Sequence, residues 1–151
     1  MRKMKKYLIL CISVFFLVLS CEDNIDKGES QLLQIKKITD FGTEQSRISL
    51  KPEYINGNYY VIESESEFTK YVTGENLPTI DFNNYFLIIG VKQFTSGASI
   101  VEEKAEENNV EIIYTVTFQT DATTVALGLL YHAFISKSSI KKETVVNLII
   151  Q

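Results

Sequence analysis

Val110, Ile112, Tyr114, Val116 and Phe118 alternate with Glu111, Ile113, Thr115, Thr117 and Gln119. Successive side chains on an extended chain point to opposite faces. This period of two therefore specifies a strand with one face better buried than the other. Residues 85–91 (YFLIIGV) form a nearly continuous apolar run, which suits a central strand covered on both faces. Residues 59–63, 129–135 and 144–150 also read as strands. Asn56-Gly57-Asn58 lies between a strand-like stretch at 48–55 and Tyr59; Asn-Gly readily takes the positive φ of a tight hairpin turn. Asn108-Asn109 marks a second turn. Residues 100–107 fit either a strand or a short acidic helix, and the hairpin partner that follows favours the strand at 100–103. Residues 121–130 fit either a loop entering a strand or a helix capped by Asp121.

One helix is expected. Ser64 and Glu67 have capping-box spacing, in which each side chain satisfies a free N–H of the other residue. Phe68, Tyr71 and Val72 then share a face. Gly74 supplies the stop, with Pro78 just beyond. The fold class expected is α+β: a mainly antiparallel sheet, as a small barrel or sandwich, packed against one helix near 64–74.

The N-terminus concerns address rather than fold. Arg2, Lys3, Lys5 and Lys6 precede an apolar run of thirteen residues, 7–19, and Ser20-Cys21 follows. A permanent span needs about 20 apolar residues, so this stretch is short for an anchor and suited to a cleaved signal. Val18 stands three before Cys21, as in lipoprotein signals, whereas Leu19 departs from the small residue usual two before. Cys11 falls inside the signal, which leaves Cys21 as the one cysteine of the processed chain. A thioether to diacylglycerol accounts for an unpaired exported thiol, and two or more acyl chains hold a protein stably at a membrane. The organisation expected is a signal at 1–20, a polar tether at 21–30 and a single domain at 31–151. The location expected is a bacterial cell envelope, with the outer membrane favoured over the inner.

Charge narrows the partners. Of 15 basic and 19 acidic residues, the signal removes four basic ones, leaving 11 against 19, a net charge of −8. Such a domain repels nucleic acid and anionic lipid heads. Histidine occurs once, as His132 within an apolar strand. It reads as a general base or as a strand histidine, and no G-x-S-x-G elbow accompanies it. No Cys-x-x-Cys or His-x-x-x-His offers a metal site. The glutamates at 63, 65 and 67, and at 102, 103, 106 and 107, read as solvated faces without a calcium-loop pattern. Thr95-Ser96-Gly97 lacks the glycines and following lysine of a phosphate loop. Tyr54, Tyr59 and Tyr60 cluster as strand packing or as an interface, since tyrosine joins area to a polar tip. No cofactor is expected, and no catalysis.

Val61-Ile62-Glu63-Ser64, the helix at Glu67-Phe68, and Ile80-Asp81-Phe82 ahead of the strand at 85–91 resemble the C-terminal domain of the PrcB-like protease complex subunit family. In that family an Asp-Phe step introduces a buried strand, and a loop reading T-G-G-Y-x-I follows. Thr95-Ser96-Gly97-Ala98-Ser99-Ile100 occupies that place. It matches the threonine, the second glycine and the isoleucine; Ser96 and Ala98 depart. A later Pro-aromatic step is matched at Tyr131 in the aromatic alone. The resemblance covers about residues 60–135. It implies a non-catalytic, membrane-attached protein that binds or stabilises a partner protease. Thr95, Ser96, Gly97 and Ser99, with Tyr131 and His132, are the expected contacts. Inhibition of a protease by the same loop, or a small ligand held inside a barrel, are the alternative expectations.

Overall fold

A computed structural model describes residues 27–151. Nine strands and one α-helix follow in order: β1 (Gln31–Leu33), β2 (Arg47–Leu50), β3 (Tyr59–Ile62), α1 (Glu65–Tyr71), β4 (Val72–Glu75), β5 (Tyr85–Phe94), β6 (Ala98–Glu107), β7 (Glu111–Thr120), β8 (Leu127–Ser136) and β9 (Glu143–Ile150). Sheet A has the order β1-β6-β7-β9, sheet B the order β3-β5-β8, and β2 pairs with β4 in a two-stranded ribbon. All pairs are antiparallel except β7 with β9. The sheets do not close into a barrel, and the fold is a sandwich-like α+β arrangement.

The apolar run at 85–91 has the place its composition calls for. Within β5, Phe86, Ile88 and Phe94 turn to one core, where Ile112, Tyr114, Val116 and Phe118 of β7 meet them. Leu87, Ile89 and Val91 turn to a second core under α1 and the β2–β4 ribbon, with Phe68, Val72, Ile48 and Leu50. Sheet B is thus the middle of three layers. That is why its central strand is apolar on both faces while β7 alternates.

Helix α1 is capped by Ser64, whose Oγ accepts the Glu67 N–H at 3.3 Å. The Glu67 carboxylate reaches back to the Glu63 N–H at 2.9 Å, one residue earlier than a standard capping box. Phe68 and Val72 are buried on one face, with Tyr71 half-buried beside them. Gly74 does not stop the helix. The chain turns extended at Val72, because Val72 and Thr73 pair with Leu50 and Ser49 of β2. Gly74 lies within β4, where an added Cβ would stand 2.0 Å from the Arg47 carbonyl oxygen.

Three further expectations are refined. The stretch at 48–55 divides: Pro52 opens a 3-10 turn, Pro52–Tyr54, after β2 ends. Gly57 has φ +83°, yet β2 and β3 form no hairpin, since β3 pairs with β5. Residues 100–107 are strand, and Asn108 caps the turn into β7 by accepting the Val110 and Glu111 N–H groups, each at 2.9 Å. Residues 121–126 are loop. Lys27, inside the expected tether, is already tied to that β6–β7 turn: its carbonyl accepts the Asn109 N–H, and its ammonium pairs with Glu111 at 2.7 Å.

Candidate functional site

The loop expected at 95–99 is shorter: residues 95–97 join β5 of sheet B to β6 of sheet A at one end of the sandwich, and Ala98 and Ser99 already pair with Thr120 and Gln119 of β7. The loop is tied to the neighbouring crossover. Gly97 donates to the Thr123 carbonyl at 3.1 Å and accepts the Asp121 N–H at 2.9 Å. Thr123 Oγ1 and the Thr123 N–H both donate to the Asp121 carboxylate, and these two bonds hold it below the usual carboxylate range. Gly97 is buried, and a Cβ there would fall 2.1 Å from Thr123 Oγ1. Thr95 and Ser99 remain exposed, and Ser96 is half-buried. The glycine therefore serves a close approach between two loops.

Tyr131 and His132 are neighbours in β8, so their side chains take opposite faces. Tyr131 enters the core between the sheets and is 1 % exposed. It pairs across from Gly90, while Phe94 at the loop pairs with Leu127. Four residues separate the two rows, roughly 13 Å at about 3.3 Å per residue. The expected contact set of loop 95–99 with Tyr131 and His132 is thus not one surface. Tyr131 in particular presents nothing to a partner.

His132 belongs to a polar seam that seals one side of the sandwich. The segment after β1 crosses from sheet A to sheet B and pairs Lys36 with Phe134. Lys37 Nζ then bridges the sheets. It holds the Glu103 carboxylate of β6 at 2.6 Å and the His132 carbonyl of β8 at 2.5 Å. The Tyr114 hydroxyl donates to the same carboxylate. His132 Nε2 accepts the Ile38 N–H at 3.4 Å. Burial, and then the Lys37 charge, push the His132 pKa down to about 4 against the pull of Glu103. The imidazole is neutral, half-buried and engaged with backbone, which is the strand-histidine reading rather than a general base.

The opposite side is not sealed in this way. There β3, the edge of sheet B, faces β9, the edge of sheet A. The Tyr59 hydroxyl donates to the Thr144 carbonyl at 3.2 Å, and Lys141 stands 3.9 Å from Glu63. A pocket of about 280 Å³ opens at this seam, floored by Phe86 and Ile112 and roofed by residues 137–142. Tyr131 Oη lies over Gly90 of β5, the residue that pairs with Tyr59 of β3, and has no hydrogen-bond partner among the described residues. Burial, and then the Tyr59 phenol, push its pKa up to about 12.

β9 is the longer edge strand of sheet A; the ten-residue β8, an edge of sheet B, is crossed at Phe134 by the Lys36 bridge. The Glu143 N–H bonds Val110 and the Gln151 N–H bonds Phe118. In a parallel pair this alternation turns the peptide groups of the odd-numbered residues to β7 and those of the even-numbered ones away. No described strand pairs that second edge. The strand reads ETVVNLII, with Ile149 45 % and Ile150 52 % exposed. It holds no lysine, no proline and no bulge, the devices that ordinarily blunt an edge. At the far side of sheet A the edge strand β1 has only three residues.

Of the expected tyrosine cluster, Tyr54 and Tyr60 meet Tyr71 with ring centroids 4.8–5.9 Å apart; Tyr59 turns to the other face. The space between the sheets is filled by Tyr114, Val116, Phe118, Tyr131 and Ile135, each at most 1 % exposed, so it is not a ligand-holding barrel. Among the described residues no group of three or more His, Cys, Asp or Glu side chains is placed to hold a metal. Cys21 and the signal lie outside the described residues. Sequence reasoning passed over the lysines at 137, 141 and 142 and the free edge of β9. Three lysines within six residues were a legible signal for the first. Comparison with family models, with curated proteins and with solved structures finds no match to this chain.

Proposed function

We propose that this protein is a non-catalytic, lipid-anchored component of a bacterial envelope that holds another polypeptide, and that it does so by strand addition along β9. The observation that carries the reading is the eight-residue, largely apolar edge whose outward peptide groups, apart from the Thr144 carbonyl held by the Tyr59 hydroxyl, pair with no described strand. An added strand satisfies those groups directly, and side-chain pockets beside the edge then select its sequence. An edge of this length and composition, left bare, also invites self-pairing, so a resident partner accounts for its retention. Cys21 supplies the attachment, and the resemblance at residues 60–135 makes an envelope protease the first partner to seek.

The test is recovery of partners by the tagged, lipidated protein from its own envelope, beside an Asn147→Lys/Ile149→Lys variant. Both substituted side chains point to the outer face of sheet A and leave the core intact. A partner retained by the wild type and lost from the folded variant supports strand capture. Identical recovery by both proteins overturns it. Incorporation of labelled palmitate that disappears in Cys21→Ser tests the anchor separately.

A further inference from the structure

The processed chain is strongly acidic, yet residues 137–142 (KSSIKK) hold three lysines and no carboxylate. This segment carries the chain from β8 to β9 and so passes over the open seam. Its lysines are not equally neutralised. Lys142 pairs with Glu107 at 2.9 Å. Lys137 Nζ rests on the carbonyls of Phe82 at 2.7 Å and Glu63 at 3.2 Å; these fix its place without cancelling its charge. Lys141 is 88 % exposed and only loosely near Glu63. Beneath them Phe86 and Ile112 offer an apolar floor, in a pocket of about 280 Å³. That is smaller than the roughly 300–1,000 Å³ of sites for drug-sized ligands, and suits a peptide side chain.

The pocket lies at the N-terminal end of β9, beside Thr144. A strand added antiparallel to β9 brings its own C-terminal end there. Resting on the strand-addition reading, we infer that this pocket receives a glutamate near the C-terminal end of the captured strand, with its carboxylate against Lys137 and Lys141 and its methylenes on Phe86 and Ile112. Charge complementarity selects this occupant: Lys137, Lys141 and Lys142 line the pocket against the one carboxylate of Glu63. The acidic body repels an acidic peptide elsewhere, and an apolar floor under two incompletely neutralised ammonium groups favours a long acidic side chain over a short or neutral one.

The probes are two labelled ten-residue peptides of alternating threonine and valine with amidated ends. They differ only in glutamate or glutamine at the next-to-last position. Binding to the full chain in detergent is read by fluorescence anisotropy. The glutamate peptide is expected to bind about tenfold more tightly at low salt, with the difference shrinking toward 0.5 M salt as screening sets in. Lys141→Glu, a substitution at an exposed side chain, is expected to erase the preference while the glutamine peptide binds as before. Equal affinity for the two peptides overturns the acid pocket and leaves strand capture standing. Persistence of the preference in Lys141→Glu overturns its location. Failure of both peptides to bind overturns both readings, as does a concentration-dependent dimer that excludes both.

Discussion

The two seams of the sandwich are built from the same materials and differ in how those materials are used. At the β6/β8 seam a lysine, a glutamate and a tyrosine meet: Lys37 reaches both sheets, and Glu103 accepts from Lys37 and Tyr114. At the β3/β9 seam the same residue types leave Lys141 3.9 Å from Glu63 and the Tyr131 hydroxyl without a partner. The first seam is saturated and half-buried. The second is open, with the outward edge of β9 along it. Polar groups that are satisfied in a low-dielectric setting rigidify a structure; at the open seam the exposed Lys141, unlike the buried Tyr131 hydroxyl, remains accessible to a ligand. The difference teaches which side of this molecule is scaffold and which is surface for use.

The largest expected effect breaks the sealed seam. Glu103→Ala leaves the Tyr114 hydroxyl without its acceptor and the Lys37 ammonium, still on the His132 carbonyl, without its counter-charge, and should cost about 2–3 kcal/mol in urea unfolding. That figure allows for the solvent that reaches Lys37, which is 35 % exposed. The matching change at the open seam, Lys141→Ala, should stay within about 0.5 kcal/mol.

Next in size is a pH effect. His132 has its pKa lowered from 6.5 to about 4 by burial and by Lys37. The unfolded chain therefore takes up a proton that the folded chain refuses. The stability this represents is full above about pH 6.5 and is lost as pH falls toward 4, on the order of 3 kcal/mol over the whole window. The chain has a single histidine, so the part of the loss between pH 6.5 and 5 is assignable to it. Unfolding free energies measured across that range should slope in the wild type and flatten in His132→Phe.

The smallest effect compares two buried tyrosines with rings 6.3 Å apart. Tyr114→Phe removes a bonded hydroxyl and should cost about 1 kcal/mol. Tyr131→Phe removes an unbonded one and should be neutral or stabilising by up to about 1 kcal/mol. Equal destabilisation by the two substitutions, measured by thermal unfolding, would erase the distinction between the seams.

Much of this architecture is written in local patterns. The alternation through Tyr114 fixes a half-buried strand, the apolar run at 85–91 a doubly covered one, and Ser64 with Glu67 a helix start. Pairing is not written there. A period of two tells which face of a strand is apolar but not which strand lies beside it. Hence Gly57 looked like the tip of a hairpin, although β3 joins β5, and β9 gave no sign of running parallel to β7. The site was harder still. Thr95, Gly97 and Ser99 have the composition of a binding loop, but its glycine is spent on the contact with Asp121 and Thr123. Tyr131 and His132 adjoin in sequence and part in space. A free edge belongs to topology alone, and the lysines at 137–142 acquire meaning only once that edge is seen beside them.

Residue-resolved amide hydrogen exchange along β9, in the full chain with and without its captured partner, tests the central claim most directly. In the free protein Val145, Asn147 and Ile149, which bond β7, should be protected, while Val146, Leu148 and Ile150 exchange rapidly; with the partner bound, those three should slow as well. Protection of Val146, Leu148 and Ile150 in the free monomer, or their continued rapid exchange at saturating partner, would contradict it.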